Sequence, residues 1–360
     1  MRINSIVAIC ILSLFFAATI SAQEEGLTRR VYITLGGENK LVWLALDEKG
    51  KLKKEGAIET GGRPGPMAVL PKQRLLYVGT RSDKGVRLYK LGSSGTPEFI
   101  ASSPLIGDPV YVTVDPARKY LIAAHYVEGK VSTYALNANG VPSKEPTQVL
   151  DTLKNPHSVQ IDTSGTRAYV PNTGSDVIFD RGWDMEKGTL ATENGNDAKS
   201  QAGSGPRHFA FHPFLPEVYF VNEKDSTVGV YEKSSSSGKL VSLQVIGTLP
   251  QDFKGSNTCA DIHVSPNGKF VYASNRGHNS IAVFRVDAGS GRLEMVETVP
   301  TEKIPRAFQV DPSGEFLVAA GQESGGIAAY KIDKGTGKLT LTDTMSLGKS
   351  PSWVEITLGR

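Results

Sequence analysis

From Val31 to the C-terminus, short runs of alternating apolar and polar residues recur, each bounded by Gly, Pro, Asn, Asp or Ser. A period of two puts every second side chain on one face, so these runs predict strands. The stretch GPRHFAFHPFLPEVYFVNEKDSTVGV, beginning at Gly205, shows the unit in full. A pivot leads into a strand, a turn, a second strand ending at Asn222-Glu223, and a third strand. Equivalent pivots occur at Gly65-Pro66-Met67, Asp108-Pro109-Val110, Asn155-Pro156-His157, Ala260-Asp261-Ile262, Ile304-Pro305-Arg306 and Ser350-Pro351-Ser352. Aligned on positions 66, 109, 156, 206, 261, 305 and 351, they lie 43 to 55 residues apart. That spacing is the length of a four-stranded propeller blade. Gly50, Gly95, Gly140, Gly188, Gly238, Gly291 and Gly337 take equivalent places in a later hairpin, where a positive φ is needed.

The ends of the pattern complement one another. RVYITLGGENKLVWLAL reads as the second and third strands of a repeat, and PSWVEITL reads as a pivot and first strand. One open sheet of roughly 28 strands is implausible. The expected fold is therefore all-β: a seven-bladed β-propeller with four-stranded blades, closed by the C-terminal strand joining the N-terminal blade.

Composition changes the picture at the N-terminus. Arg2, an apolar run over Ile6–Ile20 and Ser21-Ala22 read as a secretory signal peptide, residues 1–22, ahead of a propeller domain at 23–360. The run is short for a spanning helix, and no later segment is apolar enough to cross a membrane. Periplasmic or secreted localisation and a monomer follow as expectations. Beyond the leader only Cys259 remains, which excludes an internal disulfide framework and suggests a small buried residue more than a nucleophile. A formal charge of +3 with no basic tract gives no reason to expect nucleic acid.

In a propeller, first strands line the channel and second strands return to the same face, so pivots and second-strand ends should meet at one channel mouth. Pivots supply His157, Arg207, His208, Asp261, His263 and Arg306; second-strand ends supply Arg81, His125, Asn172, Glu223, Arg276, Gln322 and Glu323. Five of the six histidines, His125, His157, His208, His263 and His278, lie in or beside these sets, and His212 falls at the opposite end. Arg207, Arg276 and Arg306 suit a carboxylate or phosphate. His157 is expected to titrate near neutral pH and move protons, with Glu223 as base or orienting group. Zinc on His157, His208, His263 and Asp261 is disfavoured by the arginines and by the lack of close ligand spacing, so no metal or cofactor is expected. No GxSxG elbow, P-loop or dinucleotide fingerprint occurs.

The motifs NPHSVQIDTSG, GPRHFAFHP with VYFVNE, CADIHVSPNGKFVYASNRG and PRAFQVDPSGEFLVAAGQ resemble the seven-bladed propeller lactonase family, which includes bacterial 6-phosphogluconolactonases and fungal carboxymuconate-lactonizing enzymes. The resemblance runs from about Val31 to the C-terminus. It implies a metal-independent site of His157, Arg207, Glu223 and Arg276; His208, Asp261, His263, Arg306 and Gln322, from the pivot and strand-end sets, are the substrate-binding candidates beside it. The fourth repeat departs from the family pattern at Asn172-Thr173, which is expected to alter one wall of the site. A leader is also awkward for a phosphorylated cytosolic substrate. The expected activity is hydrolysis of a sugar lactone or aldonolactone. Alternatives are carboxymuconate-type lactonization and a noncatalytic exported propeller that binds carbohydrate or protein.

Overall fold

The computed structural model describes residues 28–193, 196–234 and 239–359. The expected signal peptide and hairpin Gly238 lie outside the described residues. Every regular element described is a strand. The strands form seven antiparallel sheets, one for each repeat. Six have four strands; the fourth blade carries an extra short strand, Ala198–Lys199, paired with Val177–Asp184. The ring closes as the sequence pattern predicts: the C-terminal strand Pro351–Gly359 pairs with Thr28–Leu35 to complete the first blade. A buried ion pair between Arg29 and Asp311, 2.8 Å apart, ties this blade to the seventh.

Buried residues of adjacent blades form the core. Val31, Ile33, Val42 and Leu44 of the first blade pack on Val318, Ala320 and Ala329 of the seventh. Faces buried on both sides are what a stack of sheets requires, and second strands such as Leu75–Thr80 and Glu217–Asn222 are buried at every position.

The hairpin glycines have a second role. The six in the described residues all have positive φ, from 62 to 82°. Their carbonyls receive hydrogen bonds from the preceding blade: Tyr32 to Gly95 at 2.7 Å, Tyr77 to Gly140 at 2.8 Å, Tyr219 to Gly291 at 3.0 Å and Tyr272 to Gly337 at 3.1 Å. Where the second strand has Ile122 or Val318 at the tyrosine position, Thr133 bonds Gly188 and Thr342 bonds Gly50 instead. The repeated hairpin therefore links blades as well as reversing the chain.

Candidate active site

The first strand of each blade begins with a one-residue bulge. Pro206 pairs with Asn222 and His208 with Val221, so Arg207 is the extra residue. Pro305 and Ala307 bracket Arg306 in the same way, and His157 holds the corresponding place after the Pro156–Asn172 bridge. Bulges re-aim side chains at the rims of sheets. Here they place His157, Arg207 and Arg306 at one channel mouth. The residue after each second strand is brought beside the bulge by a backbone hydrogen bond: Glu223 N–H to Gly205 at 2.7 Å, Arg276 to Thr258 at 2.8 Å and Gln322 to Ile304 at 2.9 Å. The residue preceding the proline adopts positive φ at Arg63, Asn155, Gly205, Ile304 and Ser350. Ile304, at 56°, is β-branched in a region that disfavours it, so strain is held next to Arg306.

This register corrects two positions. The repeat spacing puts Asp261 level with the prolines, but Cys259 pairs with Asn275 and holds that place. Asp261 is therefore equivalent to His208, one layer deeper, and Ala260 is the bulged residue. In the second blade Pro64, not Pro66, pairs at the strand end.

The mouth is a compact ion cluster. Glu223 bridges two arginines, with Oε1 2.7 Å from Arg276 Nη2 and Oε2 3.3 Å from Arg207 Nε. Arg276 also donates to the Cys259 carbonyl at 2.9 Å, and Arg207 donates to the Ala260 carbonyl. Burial raises the Glu223 carboxyl, but Arg207 and Arg276 outweigh it and hold the group below its ordinary value. Burial and then Arg306 and Arg276 push Arg207 well down, and burial with Arg276 and Arg81 pushes Arg306 to about 10. Both guanidiniums remain protonated at neutral pH. They carry repulsion that an anion would relieve.

His157 is buried, with Tyr126 5.4 Å away and His208 5.1 Å away between ring centroids. Burial, Arg207 and His208 hold it well below the ordinary histidine value, so it is neutral at pH 7. The expectation that it titrates near neutrality is thus corrected: the arginines chosen to bind an anion also disfavour an imidazolium. Tyr126 was missed in the sequence because His125, one residue earlier, drew attention. His125 is buried away from the mouth with Nε2 2.7 Å from Ser132 Oγ, and burial pushes it down to about 4. Asn172 likewise bonds backbone carbonyls. Thr173 is not a wall but a brace, its hydroxyl donating to the Pro206 carbonyl at 2.8 Å, just before Arg207. Ser158 braces the Arg207 carbonyl at 2.9 Å.

The remaining candidates divide between two places. Arg306 and Gln322 share a small pocket at the mouth with Arg63 and Arg81. Arg81 is held by a two-pronged contact to Asp108, both bonds at 2.7 Å. His208, Asp261 and His263 instead line a cavity of about 460 Å³ inside the channel, with Tyr111, Trp353 and Glu355. Asp261 accepts from His208 Nδ1 at 2.8 Å and lies 3.4 Å from His263 Nε2. His278 sits on the rim against Phe253, and Glu323 pairs with exposed Lys303. Cys259 is fully buried, and burial pushes its thiol up to about 12, so it is no nucleophile. Among the described residues no group of three His, Cys, Asp or Glu side chains could hold a metal ion.

Residues 31–356 match the family described as Lactonase, 7-bladed beta-propeller. The chain belongs to the seven-bladed β-propeller lactonase family. It is 36% identical over 327 residues to the 6-phosphogluconolactonase of Yersinia pestis (strain Pestoides F), covering 91% of this chain and 97% of that protein. The 6-phosphogluconolactonase of Serratia proteamaculans is 36% identical over 315 residues, covering 88% and 94%. Among solved structures, the periplasmic gluconolactonase of Pseudomonas aeruginosa superposes with a TM-score of 0.85 at 24% identity, covering 93% of this chain and all of that one. A Lactobacillus plantarum protein gives 0.83 at 24% identity, covering 92% and 99%. The lactonase family makes this protein a lactonase enzyme, and the structural neighbours share its fold.

Proposed function

We propose that this lactonase hydrolyses a sugar aldonolactone at the mouth built by His157, Arg207, Glu223, Arg276 and Arg306. The observation that carries the reading is the charge arrangement: three guanidiniums and one carboxylate surround a neutral imidazole. Neutral His157 takes a proton from water as its oxygen bonds to the lactone carbonyl carbon. The ring C–O bond then breaks, and the departing alkoxide recovers the proton, giving the open sugar acid. Arg207 and Arg276 stabilise the oxygen on which negative charge develops. Glu223, tied to both, orients them. Arg306 and Gln322 receive the distal hydroxyl or anionic end of the substrate in the small pocket they share with Arg63 and Arg81.

An exported protein would meet an unphosphorylated lactone. The leader-like N-terminus motivates that choice, as does the periplasmic gluconolactonase among the structural neighbours. The relatives named 6-phosphogluconolactonase favour the phosphorylated sugar, so both belong in the assay. Turnover of glucono-δ-lactone, 6-phosphogluconolactone and a muconolactone by the purified chain tests the reading, with chelator present. Sugar-lactone opening is expected, with a loss of about 10²- to 10⁴-fold in His157→Ala. No turnover of any lactone, or unchanged turnover in both His157→Ala and Glu223→Ala, would overturn it.

A further inference from the structure

His208 belongs to both the mouth and the channel. Its ring lies 5.1 Å from that of His157, and its other side lines the channel cavity with Asp261. The Asp261 carboxylate accepts from His208 Nδ1 at 2.8 Å, which puts the proton on Nδ1 and the lone pair on Nε2. His208 Nε2 is buried with no hydrogen-bond partner, and so is His157 Nδ1. Buried polar atoms are normally paired. The two nitrogens are not bonded to each other directly, and at this ring separation a single water between them would pair both.

Burial and Arg207 hold both rings below the ordinary histidine value, His208 to about 4, but of the two His208 alone has a hydrogen-bonded carboxylate beside it. At the mouth, an imidazolium on His157 would face Arg207 and Arg306. His208 is faced by Arg207 on its own strand, by Tyr111, by Asp261 and His263, by Arg306, and by Trp353 with Glu355 beyond it. Asp261 keeps its negative charge: burial opposes this, but contacts with His263 and His208 hold its carboxyl well below the usual range. We propose that His208 and Asp261 are positioning residues that receive the proton His157 takes from the attacking water and hold it on the channel side until the ring oxygen leaves. The proton passes from His157 to His208 Nε2, forming an imidazolium paired with the Asp261 carboxylate. It returns through His157 to the departing alkoxide, so no co-reactant is consumed. This role replaces direct substrate binding for His208 and Asp261, and it rests on the hydrolytic reading of the mouth.

Asp261→Asn keeps an oxygen that can accept from Nδ1 but removes the charge. We expect kcat to fall by about 10- to 100-fold with KM within about twofold of the parent, and His208→Gln to behave alike. Because the two act as one unit, the double variant should be no slower than His208→Gln within about threefold. Nitrogen NMR of the unaltered protein should find His208 as the Nδ1–H tautomer at neutral pH, which decides the matter if the variants do not fold. The relay is overturned by an Nε2–H tautomer, by full kcat in Asp261→Asn, by a loss carried in KM, or by multiplicative losses in the double variant. If the unaltered protein opens no lactone, the hydrolytic reading fails instead. An active parent, a dead His157→Ala and a full-speed Asp261→Asn would sink the relay alone.

Discussion

Replacing Glu223 with Gln tests whether one carboxylate holds the mouth together. Arg207 is 1% exposed, Arg276 14% and Glu223 22%. Removing one partner of a buried ion pair costs about 3–5 kcal/mol, because the other charge is left desolvated and alone. Two features reduce the figure here: Glu223 keeps some solvent, and the Gln carbonyl can still accept from Arg276. We therefore expect a loss of about 2–3 kcal/mol at pH 7. In a chain of this size that lowers Tm by about 3–4 °C. The pH dependence follows from the depressed carboxyl. Its contribution is present above the unfolded-state value of about 4.3 and is lost as pH falls through the lower folded-state value. The parent and variant should thus converge in acid. Millimolar sulfate should recover part of the loss at pH 7 by occupying the arginines, as any ligand selective for the folded state does. Circular dichroism melts across pH, with and without sulfate, measure all three effects. A difference below about 0.5 kcal/mol at pH 7, or one that persists undiminished in acid, refutes the claim that Glu223 neutralises Arg207 and Arg276.

Because His157 is neutral well below the ordinary value near 6.5, kcat/KM should stay flat through that pH, and a limb with an inflection there would contradict the burial and arginine effects. Tyr219→Phe removes the hydrogen bond to the Gly291 carbonyl and should cost about 0.5–1.5 kcal/mol with activity retained; a neutral result in denaturant titration would mean the inter-blade link contributes nothing. Glu355 in the channel is pushed up to about 7 by burial, so its charging penalises the fold as pH rises from about 4.3 past 7. Glu355→Gln, whose carbonyl can still accept from Trp353 Nε1 at 3.0 Å in the parent, should therefore stabilise by about 2 kcal/mol at pH 8 and by little at pH 4; equal effects at both would deny the raised value.

The blades were legible because their signals are local. Gly-Pro pivots, Asp-Pro and Asn-Gly turns and period-two runs fix strand starts and faces without reference to the rest of the chain, and ring closure follows from the complementary ends. The site was legible only to within one residue. A bulge adds a position with no composition of its own, so Asp261 read as a proline-equivalent when Cys259 holds that place. The sixth blade lacks the proline that marks the others, which removed the one clue to its register. The same single step hid Tyr126 behind His125. Histidines also misled by type: His157, expected to be titratable, is held neutral by arginines whose proximity depends on blades far apart in sequence. Separating mouth from channel needed the register, since His208 and Arg207 are neighbours in the chain yet serve opposite sides of one ring layer.

The repeat explains how seven similar blades make an asymmetric site. Each blade offers the same bulged position, filled by Ser352, Gly65, Val110, His157, Arg207, Ala260 and Arg306 around the ring. The small residue at 260 leaves its carbonyl open to Arg207, so the gap in one blade seats the cation of the blade before it. Three guanidiniums against Glu223 leave the mouth with an excess of two positive charges. At an effective dielectric near 20, a charge about 4 Å from a guanidinium gains about 4 kcal/mol. A neutral lactone carries no such charge until water adds to its carbonyl, so this gain falls on the oxyanion of the transition state and appears in kcat. A phosphorylated lactone would draw part of it already on binding. On the proposed reading the same arginines would bind one substrate and accelerate the other, so the division between kcat and KM would report which of them the mouth is built for.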